Sequence, residues 1–349
     1  MKMLDSIRDK NIISKCIILI ISIIAALLIG AVFLMVLGVN PVESYYYLLI
    51  RPFQSLRSIG ELSIKLTPIL LIGIGVSFTF QAKLTNLGGE GQICLGAIGM
   101  TLVGISPLAE ALGPWWILPG ILTAALFGAL WAGIAGFFKT RFKASEIITT
   151  LLLNYIAVQF LSYCVYYPLR DHKGNIPQSA KVASTLPKLI EGSRMNAGVI
   201  LAVIGVIIYW IIIRKTKFGY NLRVLGGSIK ASVYGGISKK KYYLIAMLIS
   251  GAFAGIAGSI EIAGTQTRLV EGLAGTYGFD GVVASLMGMQ HPVGVLLSSI
   301  LLAGLSVGAE TMQVKTGVSS LFLNVLEALI VLFILLGFSF FNGKGGKNE

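Results

Sequence analysis

Seven consecutive residues, Asn86-Leu87-Gly88-Gly89-Glu90-Gly91-Gln92, set an amide, a carboxylate and a second amide among three glycines, between two strongly apolar runs. In hydrocarbon a charged side chain costs at least about 2.5 kcal/mol, and backbone groups released from a helix need partners in protein or a water-filled cavity. Asn86, Glu90 and Gln92 are therefore candidates to line a polar pathway, with Gly88, Gly89 and Gly91 breaking a helix beside it. The alternative is a tight turn whose Glu90 faces cytosolic water. A second glycine-rich element, Gly278-Phe279-Asp280-Gly281, carries another acid, and Glu327 lies one turn after Asn324 in the last apolar run. All three acids are candidates for the pathway. For Glu90 and Asp280 a helix cap or turn is the competing role; for Glu327 it is a bond to Asn324 with bundle packing. No intramembrane Lys or Arg stands out as a partner, which argues against a buried ion-pair relay.

Matches to enzyme motifs fail on context. Gly304-Leu305-Ser306-Val307-Gly308 has the spacing of a nucleophile elbow but lies within an apolar helical run, and the chain has only two histidines. Gly337 to Lys344 is one residue too long for a phosphate loop, and Gly345 stands where a Ser or Thr must hold magnesium. No catalytic residue, and no ATPase within this chain, is expected. Cys16, Cys94 and Cys164 lie in apolar runs without metal-ligand spacing, so no metal site is expected and they read as packing residues.

The elements that must position these residues are membrane helices. Of 349 residues 55% are hydrophobic and 12% charged, and the mean hydropathy is +0.84. This composition fits an all-α polytopic membrane protein, not a water-soluble globule. The 42 glycines imply close helix packing. A net charge of +13 is read as a topology signal, not as a sign of nucleic acid. About ten spans are expected, some interrupted, with both termini cytosolic: a polar terminus over 1–15, a membrane domain over 16–338 and a cytosolic tail over 339–349. Within the membrane domain, 169–196 reads as the long outer loop and 214–241 as a cytosolic segment with eight bases and no acid. The runs ending near Ser106 and Met289 are short enough to be re-entrant. Each half has a Gly/Pro-containing span, a glycine-rich polar element and another span. This weak internal repeat is the pattern of a transporter's central site.

In the cytosolic segment, Ile229, Val233 and Ile237 fall at i, i+4 and i+8, one apolar stripe beside bases. Such a helix needs a partner, either a protein or the anionic inner leaflet.

The Asn86 to Gln92 element resembles the signature of nucleoside-type permeases of bacterial ABC importers, a branch related to the permeases for simple sugars and branched-chain amino acids. The likeness extends through Pro68, Gly73 and Gly75, the Gly226 to Ile237 element, Ser250 to Gly258, Gly278 to Gly281 and His291-Pro292-Val293-Gly294. The resemblance implies a permease of the bacterial plasma membrane that moves nucleosides inward by alternating access. It implies as partners a second, homologous permease, a cytosolic ATPase subunit that binds ATP and Mg, and an extracytoplasmic solute-binding lipoprotein, with membrane lipid around them. It makes Gly226, Lys230, Ala231, Gly236 and Ile237 the ATPase-coupling element. Ser232 stands where the family commonly has a second alanine. Competing readings are an ABC permease for a simple sugar, a stand-alone transporter coupled to an ion through Glu90 or Glu327, and a non-transporting scaffold.

Overall fold

A chain in hydrocarbon must satisfy its backbone internally, which helices do within one segment. The computed structural model describes residues 2–345, and among them no strand forms beyond isolated bridges. The α-helices are α1 (Lys2–Val36), α2 (Pro41–Tyr45), α3 (Leu56–Gln81), α4 (Gly89–Gly104), α5 (Pro107–Leu112), α6 (Ile117–Phe142) and α7 (Glu146–Tyr166). After a loop come α8 (Gly198–Lys215), α9 (Lys217–Gly227), α10 (Ile229–Tyr234), α11 (Lys239–Ile260), α12 (Tyr277–Met287), α13 (Pro292–Thr316) and α14 (Phe322–Gly345). Among the described residues seven helical segments are long and apolar enough to cross a membrane. Helices α4 and α12, with 16 and 11 residues, are too short for that measure. At 1.5 Å per residue they rise roughly 24 and 17 Å, against a hydrocarbon core of about 30 Å.

Two helices run past the expected boundaries of the membrane domain. Helix α1 already includes most of the polar N-terminal stretch, and α14 continues to Gly345, into the expected tail. Residues 346–349 lie outside the described ones, as does the side chain of Cys16. Cys94 and Cys164 are buried free thiols.

The chain divides into two units. One comprises Met1–Ser58 and Gly304–Glu349. There α1 packs on α14: a Cβ on Gly30 would lie 3.2 Å from Phe322 and Leu326, and the Phe33 and Phe322 rings stack at 5.9 Å. Glu327, on α14, is buried in this unit.

The other unit, Ile59–Ala303, is built around α3. In α3, 89% of the best apolar window is buried, against 28% in α7 and α8 and 33% in the α5–α6 segment. Beside it α4, α6 and α11 cross on glycines. A Cβ on Gly96 would strike the Gly255 backbone, one on Gly255 the Ala124 carbonyl, and one on Gly251 the Gly128 carbonyl. Without a hydrophobic drive between helices in lipid, such backbone-to-backbone approach supplies the packing.

The long loop after α7 is ordered against this unit. Ser179, Val182 and Leu186 donate backbone N–H bonds to Leu269, Thr267 and Ala263 at 2.8–3.1 Å, and the Trp116 indole donates to Ser184 Oγ at 2.7 Å. Arg268 donates to Asp171 Oδ2 at 2.8 Å and to the Ser179 carbonyl at 2.9 Å. The guanidinium, helped by the Lys173 N–H, holds the Asp171 carboxyl below its ordinary range.

Candidate functional site

The polar break lies between α3 and α4, and most of its side chains are bonded inward. Asn86 is fully buried. Its Nδ2 donates to Gln92 Oε1 at 3.1 Å and to Ser250 Oγ on α11 at 2.8 Å. Its Oδ1 accepts from Gly88 N–H at 2.9 Å and from Gln92 Nε2 at 3.0 Å. A helix start leaves its first N–H groups without intrahelical partners, and Asn86 supplies one of them. Asn154, buried on α7, supplies another: its Oδ1 accepts from Gly91 N–H at 2.9 Å while its Nδ2 donates to the Leu87 carbonyl at 2.8 Å. Thr150 Oγ1, one turn earlier, accepts from Leu87 N–H at 3.3 Å.

These amides leave the Glu90 carboxylate free of the turn's backbone. Glu90 is in the first turn of α4, where a negative charge is favoured by the helix dipole. Its side chain lines a cleft of about 430 Å³ with Asn154, Tyr155, Gln159 and Phe279. Tyr155 is 73% exposed and Phe279 47%, so two aromatic faces border a carboxylate on an open side of this unit.

The two glycine-rich elements meet here. A Cβ on Gly89 would lie 3.0 Å from the Gly278 Cα, and one on Gly278 would strike the Glu90 backbone. Gly281 approaches Gly73 and Ile72 on α3 in the same way. Gly88 is tight against the Gln92 and Asn86 side chains, and Gly91 against Asn154 and Ala157. The starts of α4 and α12 thus touch through backbone. Nearby, Ser77 and Ser285 hydroxyls join α3 to α12 at 2.7 Å.

Of the five residues expected along the pathway, four fall in this unit and one lines the cleft. Glu90 faces it; Asn86 and Gln92 are buried in mutual bonds. Asp280 is buried in the first turn of α12, and its carboxylate accepts from the Thr276 hydroxyl at 2.8 Å. Glu327 belongs to the other unit. Sequence reasoning passed over Asn154, Tyr155, Gln159 and Phe279. Thr150 and Asn154, one turn apart in an apolar run, were a readable signal. It also passed over Glu261, only 2% exposed at the start of a π-helical turn, Glu261–Gln266, that continues α11. The fields of Lys65 and Arg194 reach Glu261, and the Lys65 ammonium stands 5.8 Å from the Tyr277 ring centre. The expectation that no intramembrane Lys or Arg stands out as a partner is therefore corrected: Lys65 lies within α3 and its field reaches Glu261.

In the segment expected to couple to an ATPase, Gly226 packs against the Gln81 carbonyl at the end of α3. Ser228 caps α10, accepting from Ala231 N–H at 3.3 Å. Helix α10 ends at Tyr234, and Gly236, at φ +75°, turns the chain. Ile237 comes after that turn, its N–H bonded to the Ser232 carbonyl at 2.9 Å, so it does not extend the stripe expected on the helix. Lys230, Ala231, Ile229 and Val233 are exposed, and Tyr234 is 93% exposed.

The family model described as branched-chain amino acid transport system / permease component matches residues 58–337. The guanosine ABC transporter permease protein NupP of Bacillus subtilis is 37% identical, over 92% of this chain and 93% of its own. The glucose ABC transporter permease protein TsgB13 of Haloferax volcanii is 33% identical, over 90% of this chain and 86% of its own. The nucleoside ABC transporter permease protein NupB of Lactococcus lactis is 29% identical, over 93% and 92%.

Proposed function

From the premise that the chain belongs to the branched-chain amino acid transport system / permease component family, we propose that it is the permease subunit of an ABC importer for nucleosides. It is a multi-pass membrane protein. The observation that carries the solute class is the cleft at Glu90. A nucleoside is uncharged, with a flat base and a hydroxyl-rich ribose. The Tyr155 and Phe279 rings offer faces to the base; the Glu90 carboxylate and Gln159 amide offer bonds to hydroxyl and amine groups. Its volume lies within the range of roughly 300–1,000 Å³ usual for small-molecule sites. The open side that exposes both rings suits closure by a second permease. NupP and NupB, named for guanosine and nucleosides, favour the same solute class.

The remaining parts follow from the resemblance. Energy comes from ATP and Mg bound in a separate ATPase subunit, and a solute-binding lipoprotein delivers solute from outside. The positive-inside rule puts the segment from Arg214 to Lys241, and both termini, in the cytosol. There α10 presents Ile229, Val233 and Tyr234 to the ATPase. Val233→Asp is expected to abolish co-purification of the ATPase while leaving the permease folded. Full retention of the ATPase, or ion-driven uptake by the purified chain alone, would sink the ABC assignment.

For the cleft, uptake of labelled guanosine is measured in vesicles holding the whole importer. Glu90→Gln should lower the rate per permease about tenfold, the scale of one lost charge-assisted hydrogen bond. Phe279→Ala should lower it roughly five- to a hundredfold, the scale of base stacking on an aromatic ring. Wild-type rates in both variants would remove the cleft from the pathway. TsgB13 favours a second reading, a sugar; block of uptake by glucose but not by guanosine would select it.

A further inference from the structure

Away from the Glu90 cleft, a smaller cavity of about 180 Å³ opens where the end of α8 and the body of α9 face the α12–α13 turn. Its polar lining comes from Arg214, Arg223, His291, Gln81 and Gln290, with no acid. Arg214 is exposed, and Arg223 Nε has no hydrogen-bond partner among the described residues. Two guanidiniums with no acid beside them make the cavity positive, which suits an anion. Burial, aided by the Arg214 cation, pushes the His291 imidazole down from its ordinary pKa. At neutral pH it can both donate and accept beside the two fixed cations.

The far wall is held rigidly. Met289 and Gln290 both adopt left-handed backbone, φ +50° and +55°. That conformation is disfavoured for non-glycine residues, so it persists only where surroundings impose it. Tyr209, fully buried on α8, does so by donating its hydroxyl to the Gln290 carbonyl at 2.7 Å. The cavity is therefore a formed site, but it is smaller than the roughly 300 Å³ at which drug-sized pockets begin.

We propose that this cavity binds a phosphate group, and that its source is the headgroup of an anionic membrane phospholipid. Guanidinium forks match phosphate oxygens in pairs. The neighbours of Arg214 favour lipid as the source: the Lys215 ammonium lies 5.8 Å from the Trp210 ring, and tryptophan is a residue enriched at the membrane interface. The cavity also lies at the start of the eight-base segment, on the face that attracts anionic lipid. A lipid held there would bridge α8 and α9 to the α12–α13 turn.

The test uses the delipidated full-length chain in detergent, titrated with phosphatidylglycerol, phosphatidylcholine or inorganic phosphate and read by native mass spectrometry. Wild-type chain should retain phosphatidylglycerol about tenfold more tightly than phosphatidylcholine, whose phosphate is shielded by choline, and Arg223→Gln or Arg214→Gln should remove that preference. Arg223→Lys should restore it only in part, because the ammonium lacks the fork. If Arg223→Gln fails to fold, Arg214→Gln, at an exposed helix end, carries the result. Displacement of phosphatidylglycerol by inorganic phosphate at equal concentration would keep the phosphate site and assign its source to solution. Equal retention of both lipids with no phosphate binding, or an unchanged preference in the arginine variants, overturns the proposal.

Discussion

Replacing Asn86 with Leu is expected to destabilise the permease by about 3 kcal/mol or more, because the change strands the Gly88 N–H, both ends of the Gln92 amide and the Ser250 hydroxyl. Each buried group left without a partner costs roughly 1–3 kcal/mol, and a native protein has only about 5–15 kcal/mol to lose. The variant should melt well below wild type in detergent and yield less folded protein. The pair Asn86→Leu with Gln92→Leu separates this account from simple bulk. Removing both amides takes away the stranded partner, so the double variant should be more stable than Asn86→Leu alone. A double variant that is less stable would show that the amides do not act as a unit. The expectation also separates scaffold from site: with Asn86→Leu uptake should fall in step with folded protein, whereas with Glu90→Gln it should fall per folded molecule.

Gly255→Leu should leave no folded permease in the membrane. Even a methyl at Gly255 meets the Ala124 carbonyl, and the Gly255 backbone itself fills the place of any side chain on Gly96. Gly255→Ala is therefore expected to cost about 1–3 kcal/mol by overpacking, and the larger side chain would hold α4, α6 and α11 apart. Gly227→Ala serves as the control, since nothing lies within 4 Å of its added methyl. Its melting temperature should stay within experimental error of wild type. A folded Gly255→Leu protein would mean that the three helices do not touch through backbone.

How much of this was legible depends on how far apart the partners lie in the chain. The 42 glycines read as close helix packing from composition, and Gly251 and Gly255 lie on such a face. The break before α4 was visible because polar residues interrupt an apolar run. Which of its side chains would face a cavity was not. Asn86 bonds Ser250 across 164 residues and Asn154 bonds Leu87 across 67, and no local pattern announces such pairs. Hence the amides looked as available for solute as Glu90 did. Glu261 escaped for a related reason: one acid at the end of a long apolar run reads as an interface residue until the π-helical turn is seen to bury it. Ile237 had the right spacing for the α10 stripe but follows two glycines, and the left-handed Gly236 ends the helix before it.

The burial of α3 bears on how the protein is made. Its contacts are chiefly with segments synthesised much later: Gly75 lies against Ser250, Gly73 against Val295, and Ser77 bonds a hydroxyl 208 residues further on. At roughly 5–20 residues per second, α3 leaves the ribosome about 10–40 seconds before α12 can reach it. During that interval a helix with Lys65 and Pro68 in its body must rest against lipid or an insertase. Its apolar surface therefore has to suit two successive neighbours, hydrocarbon first and protein afterwards.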